Sequence, residues 1–483
     1  MKKYIYKIGA FFLSLPFLGV TASCDDWFGI MPQSEMVAED FWKDEQDVKS
    51  AVGACYRAML EDGFMRRLIV WGELRSDNVI NGLGTDTEIG YILNANLNEA
   101  NSYCKWNDFY TVINYCNTMI QNAPMVRERD ADFTEEDLNH YLAEAKGIRA
   151  FCYFTLARTF KDIPYMETPY VDDTQRFQVE QTSFENVLDT LISDLKTVED
   201  VAVSDYGDTE AYNSGRITQK AIWALVADMS LWRGNYRQCV DYCNKILTTA
   251  TNPLSLLPAD TYFNTVFGPA RGNSDESIWE LQFDPNTTNG AVSTFYGSSN
   301  NLSPLLSSLD FDGQNGEDWW GGLDMRHAQS YVEDGLYMIK KYTSYCYATD
   351  FEDVKANDFQ YGNNESNWII YRLADVYLMK AEALAELGDI AGAVLPLAGA
   401  GGGAGGRDGP VGVEAAEVVD AHHIVNGGGV LHALLPPVKV SVLVGRPVVQ
   451  RVAPQLAVCC KGVRRASPTY STMWLHGSAT ARI

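Results

Sequence analysis

From Asp40 to about Val394 the chain alternates two textures: stretches with an apolar residue at every third or fourth position, and long polar intervals rich in Gly and Asn. The first spacing puts apolar side chains on one stripe of an α-helix, whereas the two-residue alternation of a half-buried strand is rare and short here. One stretch carries Trp106, Phe109, Ile113, Cys116 and Ile120. Another runs from Glu144 to Ala157 and stops before Pro164, a residue that cannot continue a helix. Such one-faced stretches predict paired amphipathic helices.

The interval from Thr218 to Leu247 is more specific. Trp223, Ala227, Gly234, Tyr236, Cys239, Cys243 and Ile246 fall at the spacings of a tetratricopeptide hairpin. Small Ala227 and Cys239 lie where two helices approach closely, Gly234 frees the turn, and Trp223 wedges between neighbours. The pattern returns at Tyr377, Ala381, Leu384, Gly388, Ile390 and Ala393. The expected fold class is therefore mainly α, with tetratricopeptide-like helical hairpins supporting an irregular loop-rich lobe, and with Trp223 and Tyr377 buried between hairpins.

The first residues read differently. Lys2, Lys3 and Lys7 give a basic start, Ile8 to Val20 is mostly apolar, and Thr21-Ala22-Ser23 is a small-residue cleavage site, so residues 1–23 are expected to be a signal peptide. Cys24 follows directly and resembles the acylated Cys of a bacterial lipobox, although Thr21 stands where that motif usually has Leu. Asp25 and Asp26 resemble a surface-export signal of Bacteroidetes lipoproteins, whereas in enteric bacteria Asp in that place resembles a signal for inner-membrane retention.

Composition narrows the chemistry. The formal charge of −25 excludes an extended phosphate-tracking surface, so no nucleic-acid partner is expected. Nine further Cys at irregular spacing make no disulfide framework; Cys239 and Cys243, four apart on one helix face, read as small core residues. No metal or other cofactor is expected. DFDGQNGED is oxygen-rich but does not place its Gly or closing Glu as a calcium loop requires. Before residue 395 only His140 and His327 offer imidazoles, neither in a nucleophile motif, so no catalytic constellation stands out.

What does stand out is aromatic rings in polar loops, where they can cover the C–H faces of sugars while Asn, Asp and Arg hydrogen-bond the hydroxyls. Trp319 and Trp320 sit in DFDGQNGEDWWGGLDMR without periodic apolar neighbours, with capping of the core or contact with a transporter as the alternative roles. The segment WGELRSDNVINGLGTD brings Trp71, Arg75, Asp77, Asn78 and Asn81 close in sequence, with a structural Arg75–Glu73 ion pair as the alternative role for Arg75. Tyr296, in NTTNGAVSTFYGSSNN, is a further candidate.

Taken in order, FWKDEQDVKSAVGACYRAM, WGELRSDNV, WNDFYTVINYCNTMI, EAKGIRAFCYFTLARTFKDIPY, GRITQKAIWALVADMSLWRGNYRQCVDYCNKIL, ESIWELQF, LDMR and YRLADVYLMKAEALAELGD resemble the SusD/RagB family. Lys161 stands where that family usually has Gly. The resemblance covers most of residues 24–394 and implies a non-catalytic nutrient-binding lipoprotein of the outer membrane. It would be lipid-anchored on the cell surface and pass a glycan or other nutrient to a SusC-like TonB-dependent transporter. The rival readings are a surface glycoside hydrolase and a structural repeat adaptor for a protein partner.

Beyond Val394 the texture breaks. Residues 396–483 hold four acids and eight bases, no Phe, and four of the six His, and Pro396 with the glycines from Gly399 interrupts a helix that the family continues. Residues 395–483 are read as an aberrant low-complexity tail, translated in a shifted frame or mis-joined, which leaves the binding domain incomplete at its C-terminal end. Without aromatic core-formers such a tail packs poorly. Limited proteolysis is expected to cut first between Gly399 and Gly409, with little change in stability when the tail is deleted; a protease-resistant tail whose removal unfolds the repeats would make it a real domain.

Overall fold

The computed structural model describes residues 41–75, 79–171, 179–270, 272–298, 301–304, 331–333, 337–349, 355–389 and 392–393. The chain divides into an N-terminal unit, residues 1–43, and a main unit, residues 44–483. In the first, the rings of Phe41 and Trp42 meet edge-on at 5.0 Å. The main unit opens with helices α1 (Glu45–Met59) and α2 (Asp62–Gly72), strand β1 (Val79–Ile80) and helix α3 (Thr87–Leu93). Two long helices follow, α4 (Asn107–Arg129) and α5 (Glu135–Phe160).

Local chemistry sets these boundaries. Asp44 caps α1 by accepting from the Asp47 amide at 3.2 Å, and Thr134 with Asp137 forms a reciprocal capping box at the start of α5. α1, α4 and α5 pack together, burying Cys55, Cys116 and Cys152 at their contacts. One end of α5 is strained: Lys161 closes it at φ +72°, ψ −107°, a conformation that favours glycine. Its ammonium lies 4.6 Å from the Phe184 ring centroid, which offsets part of the cost. Lys161→Gly is expected to raise stability by about 1 kcal/mol, as read from the denaturant midpoint, because relief of the backbone strain outweighs the missing cation–π attraction.

After β2 (Ile163–Pro164) and β3 (Gln181–Thr182), which pair antiparallel, come α6 (Phe184–Lys196), α7 (Glu210–Gly215), α8 (Gln219–Arg233) and α9 (Tyr236–Thr248). Thr218 caps α8, and Gly234 at φ +80° ends it, the left-handed turn the sequence assigned to it. The hairpin α8–α9 packs on a later helix, α12 (Leu373–Glu386). The buried Cys239 thiol points its S–H at the Met379 carbonyl of that helix, 3.7 Å away. One detail differs from expectation: Trp223 and Tyr377 are half-buried, not fully enclosed between hairpins. The ammonium of Lys245 stands 5.6 Å from the Trp223 ring, so the outer side of the indole meets a charged side chain.

The remaining elements are short: α10 (Ala259–Phe267), β4 (Ser277–Leu281), α11 (Gly290–Phe295), β5 (Ser303–Pro304), β6 (Tyr331–Glu333), β7 (Tyr337–Ile339), β8 (Ser344–Cys346), β9 (Phe359–Tyr361) and β10 (Trp368–Arg372). Among the described residues every sheet has two antiparallel strands. The central ribbon, β4 with β10, is buried along its whole length and runs directly into α12. Trp279 of β4 meets Phe151 of α5 edge-on at 5.0 Å, which ties the ribbon to the helical layer.

Candidate ligand-binding surface

The sequence segment from Trp71 to Asp86 begins in the core. Trp71 is only 5% exposed, its Nε1 donates to the Tyr103 carbonyl at 2.8 Å, and its ring lies against Phe109 at 4.7 Å and edge-on to Phe160 at 5.1 Å. The expectation that Trp71 offers a face to a ligand is therefore corrected; with its ring covered, it anchors the segment instead. Tyr296 is the same case. It is buried and hydrogen-bonded to Glu73, and burial, then the Glu73 charge, hold its hydroxyl well above the usual phenol range. This bond pins the start of one candidate segment to the other.

The two segments then pair. Val79 lies opposite Pro304 and Ile80 opposite Ser303, so β1 and β5 form one short ribbon. On its β1 side Arg75 and Asn81 are exposed. The Arg75 guanidinium reaches the Thr159 carbonyl at 3.4 Å, and the Asn81 amide lies against Gly90, where an added Cβ would stand 3.7 Å from it. Asp77 and Asn78 lie outside the described residues, as do Trp319, Trp320, Cys24 and the DFDGQNGED loop. The described chain on either side of the Trp pair is nonetheless anchored: Ser303-Pro304 on β1, and Tyr331–Glu333 on β7.

Residues 296–298 and 301–302 join these anchors. The Gly297 amide donates to the Ile339 carbonyl of β7 at 2.8 Å, and its carbonyl accepts from the Tyr361 hydroxyl of β9 at 2.6 Å. At φ +83°, with Thr343 side-chain atoms 3.1 Å from where a Cβ would sit, a side chain at this junction would be strained and would crowd Thr343. Asn301 closes the loop by donating to the carbonyls of Ser293 and Tyr296, both at 2.8 Å. The buried Lys340 ammonium donates to the Tyr361 hydroxyl at 2.7 Å and lies 4.4 Å from that ring's centroid. Tyr361 is thus held from one side while remaining 53% exposed.

Tyr361 and the exposed Tyr347 were missed from sequence. The signal was present, since Tyr361-Gly362-Asn363-Asn364 is another aromatic ring in a Gly- and Asn-rich loop, the rule that selected Trp319 and Trp320. Within the described residues no group of three or more His, Cys, Asp and Glu is arranged to hold a metal ion.

A helical-hairpin scaffold that carries such a loop-built, aromatic and amide-rich surface defines a class, the repeat-supported binding protein. Residues 85–231 match the family model described as "Starch-binding associating with outer membrane", and residues 292–396 match the SusD family model. A SusD-like protein of Formosa agariphila, P38, is 27% identical over 428 residues, covering 80% of each chain. Two solved structures share the fold. A putative sugar binding protein from Bacteroides vulgatus has a TM-score of 0.62 at 19% identity, over 80% of this chain and 86% of that one. The surface glycan-binding protein A from Bacteroides uniformis has 0.56 at 18% identity, with the same coverage. The chain belongs to the SusD/RagB family, whose members are binding proteins and not catalysts. It is accordingly an outer-membrane-associated, SusD-like protein of the starch- and glycan-binding class.

Proposed function

We propose that this protein is a lipid-anchored cell-surface receptor that binds oligosaccharide at the junction of the 75–81 segment, the 296–302 loop and Trp319-Trp320, and delivers it to a SusC-like TonB-dependent transporter. The observation that carries the reading is the β1–β5 pairing, which sets the strand that runs into Asn81 beside the chain that leads toward the Trp pair in sequence. Arg75, Asp77, Asn78 and Asn81 supply donors and acceptors for sugar hydroxyls, and Trp319, Trp320 and Tyr361 supply ring faces. Trp71 and Tyr296 act beneath that surface, fixing its two segments to the core.

Calorimetric titration of the signal-free soluble chain against a panel of oligosaccharides tests this. Saturable binding of at least one glycan class is expected; binding confined to peptides would replace the reading with that of an adaptor. The anchor has its own test. With residues 1–23 removed by processing, Cys24 carries the only lipid, so Cys24→Ala is expected to shift the protein from the membrane fraction to the soluble fraction. Retention at wild-type levels would exclude lipidation as the anchor.

A further inference from the structure

A pocket of about 130 Å³ lies between α4 and the stretch that follows β2, with walls from Tyr110, Ile113, Asn114, Asn117, Met166 and Tyr170. The stretch is clamped to the helices by side chains. Tyr110 donates to the Pro164 carbonyl at 2.6 Å, and Asn117 donates to that of Met166 at 3.0 Å. Asn114 both donates to the Tyr170 carbonyl and accepts from its amide, at 3.1 and 2.7 Å. Tyr153 of α5 makes the same two-way contact with Met166, at 2.8 and 2.9 Å. A strap held at this many points keeps its cavity open without an occupant, so little ordering is required on binding.

Those bonds have a second effect, because they engage the polar groups that would otherwise face the cavity. Asn117 also accepts from the buried Arg149 at 2.8 Å, and the Thr111 hydroxyl is turned back onto the Asn107 carbonyl at 2.9 Å. What the pocket presents is therefore mostly carbon. A pyranose entering it would lose water from several hydroxyls without gaining partners, a cost an apolar ring does not carry. The volume is close to that of an engineered apolar cavity of about 150 Å³ that takes up benzene. Exposed Thr111, Tyr115 and Thr168 form the rim.

We propose that this pocket is a second binding site, distinct in chemistry from the glycan surface, that takes a single apolar ring of about benzene size. Such a ring comes either free or as an aromatic side chain, and two probes separate these sources: fluorobenzene and N-acetylphenylalanine amide. Ligand-observed NMR on the full mature chain is expected to give saturable binding of fluorobenzene with Kd on the order of 1 mM, as small apolar ligands allow. Thr111→Trp, at an exposed helix position that leaves the fold intact, is expected to cover the mouth and weaken binding at least tenfold while oligosaccharide titration is unchanged. If the amide binds as tightly or more so, the occupant is a side chain; if only fluorobenzene binds, it is a free ring. Absence of saturable binding by either probe, binding that Thr111→Trp leaves unaltered, or displacement by glucose would overturn the proposal.

Discussion

Glu144→Ala is expected to cost the protein about 3–5 kcal/mol, a large share of the stability of a typical domain. Glu144 is fully buried in α5 and accepts from three donors: the Tyr56 hydroxyl of α1 at 2.7 Å, and Nε and Nη2 of Arg216, the former at 2.9 Å. Tyr56 in turn accepts from the Ile217 amide at 2.8 Å, just before α8. One carboxylate therefore joins α1, α5 and the start of the tetratricopeptide-like hairpin. Burial, then the Glu144 charge, hold the Tyr56 hydroxyl well above its ordinary range. Burial works against the Arg216 cation, yet its hydrogen bond to Glu144 and that carboxylate's charge hold its pKa above the usual value. Removing the carboxylate leaves a half-buried guanidinium and a buried hydroxyl without their acceptor, which is why the effect exceeds that of a surface pair. Chemical denaturation of the soluble chain measures it. Glu144→Gln keeps an acceptor for one donor and should fall between wild type and Glu144→Ala. A cost below about 1 kcal/mol for Glu144→Ala would mean that water or a neighbouring acidic group replaces the network.

The second large effect concerns the ligand. Replacing both Trp319 and Trp320 by Ala is expected to lower oligosaccharide affinity roughly ten- to hundredfold, since aromatic stacking of this kind is worth about 1–3 kcal/mol. Both rings lie in a sequence with few apolar neighbours, so burial for folding alone does not account for them. The chain on either side of them is fixed on β1 and on β7, the strands that border Asn81 and the Gly297 junction. Substitution at Arg75 or Asn81 should then weaken the same glycan, and Tyr361→Ala should do so without unfolding, because that ring is already half in solvent. Calorimetric titration with circular dichroism as the folding control distinguishes the outcomes. Unchanged affinity in a folded double Trp variant would move the site away from this junction.

Periodicity, caps and breakers act within a few residues of one another, and for that reason the helical architecture could be read from the chain alone. Gly234 had to turn the chain because a left-handed residue was needed between two helical stripes, and Cys239 had to be buried because its side chain faces the partner stripe. The candidate loops were legible for a related reason, as aromatic rings without apolar neighbours contrast with core-forming ones. Which of those rings are available to a ligand emerged only on folding. Trp71 closes the apolar run Leu68-Ile69-Val70 and Tyr296 stands among polar residues, yet both are covered by the fold: Phe109 and Phe160 lie against the first, and Glu73 binds the second within the core. Partners so distant along the chain leave no trace in local pattern. The same holds for Tyr361, presented by Lys340 and Gly297, and for the Glu144 network, because each depends on side chains that only the folded chain brings within hydrogen-bonding distance.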